Sequence, residues 1–142
     1  MSPDARQRLK ALLIKHEHYE QFPYTDTTGN LTIGIGRNIS VRGVSLNEAL
    51  SLLDDDLAWH TAKLMQFCSW FAKLDDNRQI AVIDMAFNLG LQGFLGFQDT
   101  ISALEALDYE RAAKAMLDSL WAHQVGQRAI DLAYIIRTGE LP

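Results

Sequence analysis

EHYEQFPYTDTTGNLTIGIG, residues 17–36, is the stretch on which the fold turns. Short runs of Tyr, Thr, Leu and Ile flank Thr28-Gly29-Asn30, which predicts a β-hairpin with its turn at Gly29. Pro23 lacks an amide donor and so assigns the first strand to a sheet edge. Gly34 and Gly36 weaken the second strand and mark places where another group approaches the backbone closely. Val41 to Val44 is expected to add one more short strand. Upstream, Ser2, Pro3 and Asp4 form a helix start: a capping hydroxyl, a proline in the first turn and an acid at the positive end of the dipole. Leu9, Leu12, Leu13 and His16 fall on one helical face and carry that helix to His16 or Glu17. Glu17 therefore stands at a helix carboxyl end. The dipole disfavours a carboxylate there, so Glu17 is either well solvated or kept for a purpose.

Downstream, Ser45-Leu46-Asn47-Glu48 is a capping box. Behind it Leu46, Ala49, Leu50, Leu53, Leu57, Leu64 and Phe67 maintain an apolar face over a long helix. Asp54, Asp55 and Asp56 read first as a solvated face and only second as a metal site, because one turn of helix does not aim three consecutive side chains at one ion. Asp75 caps a further helix whose centre, IAVIDMAFNLG, is apolar almost all round and closes on Gly90. LQGFLGF (91–97) reads as a loop. Asp99 or Thr100 starts a helix to about Leu107, Asp108 caps another to about Leu117, and a last one spans Gln127 to Arg137. The expected class is α+β and mainly α, in one domain. A small lobe of residues 1 to about 45 carries the sheet, a helix of about 45–67 follows, and a helical lobe occupies about 68–142. A groove between two unlike lobes is a natural ligand site.

Composition narrows the function. At 142 residues with 48% hydrophobic content, the chain buries enough surface to fold without disulfides or metal. Cys68, the single cysteine, sits between Phe67 and Trp70 and reads as a small buried hydrophobe. Thirteen Lys and Arg against eighteen Asp and Glu, a net charge of −5, argue against a nucleic-acid partner. The amino terminus has no signal-peptide pattern, and no run of about 18 apolar residues offers a membrane span. Any acidic envelope polymer has to be held by local contacts rather than by long-range attraction.

Two carboxylates and a hydroxyl suit glycoside hydrolysis, in which one carboxyl protonates the leaving oxygen and the other activates water or attacks from the opposite face. Glu17, followed by Tyr19 and Phe22, is expected to be kept protonated by partial burial, and Asp26 in a polar turn to stay ionised. Spacing alone does not carry this, because aspartate in a turn is more often structural. His16 and His18 lack a third ligand for zinc. Trp59, Trp70 and Trp121 all read as packing, with sugar stacking the rarer use of such residues.

Several motifs in order carry a resemblance. Glu17, Tyr24-Thr25-Asp26, Gly29 and Leu31-Thr32-Ile33-Gly34-Ile35-Gly36 resemble the active-site segment of the T-even bacteriophage lysozymes, glycoside hydrolase family 24. Asp84 to Gly90, Gly96-Phe97, Trp121 to Gln124, Gln127-Arg128-Ala129 and Arg137-Thr138-Gly139 resemble that family's carboxyl-terminal lobe. The resemblance implies a lysozyme-like fold and a muramidase that cleaves the β-1,4 bond between N-acetylmuramic acid and N-acetylglucosamine in peptidoglycan. It implies Glu17 as general acid, Asp26 as the opposing carboxylate, and Thr32 as the hydroxyl that helps Asp26 hold water. Inversion is implied, with the carboxyl groups about 6.5 to 9.5 Å apart. By the same matching Phe87, Thr100 and Asn38 contact the sugar, and Arg128 meets the catalytic glutamate. On their own terms Phe87 also suits a core, Thr100 a helix cap and Asn38 a turn.

The chain departs from the family pattern in places. His18 stands where glycine commonly follows the glutamate. Arg37 replaces a histidine, with Asp56 expected as its ion-pair partner and no loss of that pair on the basic side. The segment from Gly36 to Ser45 is shorter than in the best-known member, and the net charge is acidic. No cofactor or metal is expected, and the partner implied is the peptidoglycan glycan strand, met by a monomer that does not insert into membranes. The setting implied is an endolysin held in the host bacterial cytoplasm until a holin or similar factor releases it to the wall. A tail-associated, bacterial or prophage lysozyme is the second setting. The reading from another class is a catalytically silent glycan-binding or interaction protein on the same fold, against which stands the joint presence of Glu17, Asp26 and Thr32.

Overall fold

In the computed structural model, which describes all 142 residues, the chain divides into two units, Met1–Ser51 and Leu52–Pro142. The first unit opens with helix α1 (Pro3–Glu17), capped by Ser2, whose Oγ accepts the Ala5 amide at 3.2 Å. Strands β1 (Glu20–Thr25), β2 (Leu31–Gly34) and β3 (Arg37–Asn38) form an antiparallel sheet in the order β1-β2-β3. Pro23 lies on the edge strand, within a register shift between Glu20 and Tyr24, where its missing donor breaks no ladder. The Asp26 to Asn30 turn closes the hairpin, with Gly29 at φ 84°. The strand expected at Val41 to Val44 does not form. Its place in the sheet is taken by the two residues of β3, and the chain turns at once, with the Arg42 and Gly43 amides donating to the carbonyls of Asn38 and Ile39.

Helix α2 (Leu46–Phe67) begins at the capping box. Glu48 N–H donates to Ser45 Oγ at 3.2 Å and Ser45 N–H to Glu48 Oε2 at 2.7 Å. Arg37 also reaches Glu48, and its Nη1 donates to the Gly43 carbonyl at 2.9 Å. The expected partner was Asp56, two turns farther along α2. The short β2–β3 turn instead leaves the guanidinium beside the first turn of the helix, where Glu48 is already fixed by Ser45.

The second unit holds helices α3 (Asp76–Leu89), α4 (Leu91–Leu95), α5 (Gln98–Glu105), α6 (Tyr109–Leu117), α7 (Leu120–Val125) and α8 (Gln127–Thr138), preceded by a 3₁₀ turn at Phe71–Lys73. Asp75 and Asp108 cap α3 and α6 through the amides of Arg78 and Arg111. LQGFLGF is not a loop. Leu91 and Phe94 are buried at helical spacing, so α4 forms in spite of its glycines. Helix α5 starts at Gln98 behind Phe97, with no side-chain cap, and Thr100 is an interior residue of its first turn rather than the cap. Helix α7 has no counterpart among the expected elements, because its six residues, capped by Ser119, are too few for a periodic signal.

One apolar core fills the second unit, with Leu64, Phe71, Val82, Met85, Phe94, Leu104, Met116 and Ile136 almost fully enclosed. Cys68 belongs to it, and burial pushes its thiol pKa up. Arg78 ties α3 to the chain end through the Ile136 carbonyl at 2.7 Å and lies 3.7 Å from the Tyr109 ring centroid. Trp70 and Trp121, at 3% and 4% exposure, pack as expected; Trp59 does not, being 50% exposed on α2. The architecture is α+β and mainly α.

Candidate active site

The last residue of α1, Glu17, is set by the abrupt end of the helix. His18 leaves the helix at φ 62°, ψ 173°, while its amide still donates to the Ile14 carbonyl at 3.0 Å. That backbone region favours glycine, which gives the departure at His18 a physical meaning: the helix exit needs a conformation a side chain resists. The Glu17 carboxyl then lies on the backbone of Gly36. A Cβ added at Gly36 meets Glu17 Oε2 at 2.7 Å, and Gly36 itself has φ 66°. Gly36 thus serves close approach, as the strand glycines suggest, whereas Gly34 has open space beside it and only the positive φ. The expected burial of Glu17 is not found: Glu17 is exposed at the helix end, as are Tyr19 and, on the edge strand, Phe22.

Asp26 is held differently. Its Oδ1 accepts from the Asn30 amide at 2.8 Å, the Thr28 hydroxyl at 2.8 Å and the Thr28 amide at 2.9 Å. The Asn30 amide and then the Thr28 hydroxyl lower its pKa below the ordinary aspartate value, since each hydrogen bond favours the anion. All three bonds go to one oxygen, which leaves Oδ2 without a protein donor. Thr32, 4% exposed on β2, donates its hydroxyl to the Asn30 carbonyl at 3.2 Å. Asn30 therefore links Asp26 to Thr32 through its own backbone. Thr28 and Asn30 are the residues sequence reasoning passed over, although an aspartate two and four positions before such residues in a hairpin loop is a recognisable turn pattern. Asn38 pairs with Thr32 across β2 and β3, and its Oδ1 accepts the Val41 amide at 3.0 Å, so it does serve a turn.

In the second unit Phe87 and Arg128 come together. They line a pocket of about 540 Å³ with Leu53, Leu57, Ile83 and Asp84. Arg128 Nε donates to Asp84 Oδ1 at 2.7 Å, a partner within this unit that the motif around Asp84 contained but spacing did not single out. Phe87 is exposed toward solvent rather than buried in the core. Thr100 is elsewhere: almost fully buried, it contributes to a separate hollow of about 780 Å³ between α5 and α6, with Arg111 and Lys114 on its rim. No group of three or more His, Cys, Asp or Glu is arranged to hold a metal ion. No helix is long and apolar enough to cross a membrane.

Chemically, the first unit offers an ionised carboxylate with a free oxygen and a second carboxyl held against a glycine backbone. The sequence profile of the family described as Phage lysozyme matches residues 14–134. The chain is 26% identical to Probable T4-type lysozyme 1 of Dictyostelium discoideum, over 91% of this chain and 94% of that protein. It is 27% identical to Probable T4-type lysozyme 2 of the same organism, with the same coverage. To the Pre-baseplate central spike protein Gp5 of Enterobacteria phage T4 it is 31% identical, over 83% of this chain but 25% of that one. This chain belongs to the phage lysozyme family.

Proposed function

We propose that the chain is an N-acetylmuramidase that hydrolyses the β-1,4 bond between N-acetylmuramic acid and N-acetylglucosamine in peptidoglycan. Glu17 gives its proton to the leaving glycosidic oxygen, and Asp26, through its free Oδ2, takes a proton from the attacking water. Thr32 orients that water with Asp26. The reaction inverts the anomeric centre. Phe87 and Asn38 contact the glycan, and Arg128, ion-paired with Asp84, is a supporting residue beside Phe87; Thr100, enclosed in its separate hollow, is left out of the site. The biological role is bacterial lysis by an endolysin that reaches the wall after release by a holin. The single observation that most supports this reading is the hydrogen-bonded state of Asp26, whose three donors keep one oxygen occupied and the group ionised while the other oxygen stays open.

The test is clearing of permeabilised Gram-negative cells by wild type, Glu17→Gln and Asp26→Asn. Each variant is expected to lose at least about 10²-fold in rate with its folding unchanged. Lysis by Glu17→Gln at the wild-type rate removes Glu17 from the mechanism, and no lysis by wild type with retained glycan binding leaves the silent binding protein. The anomer of the first-formed product distinguishes inversion from a covalent route. A second setting, in the phage tail, has the similarity to a spike protein in its favour. A structural domain fused in the same reading frame supports the tail, and an adjacent holin gene supports the endolysin.

A further inference from the structure

Trp59, Lys63 and Phe67 are four residues apart along α2 and so lie on one face of the helix. Trp59 and Phe67 are both half exposed, and about 12 Å of helix separates them. With Leu89, Gly90, Leu91, Gln92 and Gly93 from the α3–α4 turn these residues line a groove of about 460 Å³. The groove has an unusual makeup for a solvated helix face: two aromatic rings, an exposed amide and a lysine. Lys63 forms none of the protein's ion pairs, and its Nζ hangs 5.9 Å from the Trp59 ring centroid. In a chain of net charge −5 this is a local cationic spot with no acid to neutralise it. A row of ring contacts through His60 joins the groove to Phe87 of the candidate site. The Trp59 ring packs edge-on to His60 at 5.0 Å, and His60 packs against Phe87 at 5.3 Å.

A ligand that fits must offer flat apolar faces at intervals, hydroxyl and amide groups for Gln92 and the glycine backbone, and an anion for Lys63. A folded protein surface offers no such linear alternation. A glycan strand with carboxylate-bearing peptide branches does. We propose that this groove is a second glycan-binding site, in which a sugar ring of the strand stacks on Trp59, a farther one meets Phe67, and a carboxylate of a peptide branch pairs with Lys63. The strand runs there from Phe87 along α2. This rests on the reading of the chain as acting on peptidoglycan. It explains how an acidic protein holds a long acidic polymer: local stacking and one unshared cation substitute for a general field.

The experiment titrates the full chain carrying Glu17→Gln with solubilised, uncross-linked peptidoglycan strands and follows tryptophan emission and iodide quenching. Trp70 and Trp121 are buried, so Trp59 dominates any change in quenching. The expected result is a saturable blue shift with protection from iodide, absent in Trp59→Ala. Lys63→Glu is expected to weaken strand binding by about fivefold or more with the aromatic pair retained. In the active chain, Trp59→Ala and Phe67→Ala should raise KM for long strands several-fold at unchanged kcat and leave cleavage of short oligosaccharides as it was. Unchanged Trp59 emission while strands are bound, or an equal KM on long strands in both variants, overturns the proposal. So does a Trp59 change that follows protein concentration without strand, which assigns the groove to self-association. If wild type does not cleave but the Trp59 response saturates, the hydrolytic reading fails and the groove stands.

Discussion

His18 and Gly36 bracket Glu17 with opposite backbone economies. At φ 62°, ψ 173°, His18 occupies a region that costs a residue with a side chain on the order of 1–3 kcal/mol. His18→Gly should therefore stabilise the chain by about 1 kcal/mol after the added freedom of the unfolded glycine is subtracted, read from urea midpoints. Gly36→Ala should do the reverse. It adds about 1–2 kcal/mol of backbone strain and drives a methyl to within 2.7 Å of Glu17 Oε2. Because the struck atom is the end of a flexible side chain, the carboxyl moves rather than the fold. Activity should then fall by at least about tenfold in excess of any unfolded fraction, as expected for a displaced catalytic group. An active Gly36→Ala would detach Glu17 from the reaction. The sequence singled out both positions. What it did not contain was the reason, since a positive φ at a histidine has no compositional signature.

The start of α2 is the element whose energetics depend most on pH. The Arg37 guanidinium, then the Ser45 amide, hold the Glu48 carboxyl at about 2 against an ordinary 4.5. A carboxylate with a lowered folded pKa binds fewer protons folded than unfolded. Its stabilisation is complete above about pH 4.5 and is lost as pH falls toward about 2. Asp26 and Asp75 titrate in the same sense, so acid melting is expected to show all three groups. Glu48→Gln should flatten the slope of melting temperature between those limits and leave the part due to Asp26 and Asp75. An unchanged slope would show that the pair is broken in solution. On the basic side the pair holds, because a guanidinium keeps its charge where a histidine loses it. The capping box was legible because its partners are three residues apart. Arg37's choice of Glu48 over Asp56 was not, because it depends on how tightly β3 turns back toward the helix.

Over the whole molecule, burial is unevenly shared. Every buried apolar side chain lies between Leu64 and Ile136, and within residues 1–51 only Thr32 is buried. Opening free energies follow buried contact, so hydrogen exchange should be slowest in α3 and α8 and fastest in α1 and β1. Equal protection in β1 and α8 would contradict that ranking. The Asp26–Thr32 pair is expected to gain protection when glycan binds. This distribution places the two carboxylates on the less buried part of the chain and the Phe87 and Arg128 pocket on the packed part.

Sequence by itself determined what neighbours within about four residues decide: the Ser2, Asp75 and Asp108 caps, the Ser45–Glu48 box and the hairpin turn. It also carried Glu17, Asp26 and Thr32 together. Helical spacing treated Trp59 and Trp70 alike, and the family resemblance treated Phe87 and Thr100 as one kind of candidate. Tertiary structure separated them. Whether a helix face is covered depends on elements distant in sequence, so Trp70 is enclosed while Trp59 faces a groove. Likewise Arg128 finds Asp84 forty-four positions away, and the Glu17 carboxyl rests on Gly36 because the chain between them folds back as a sheet.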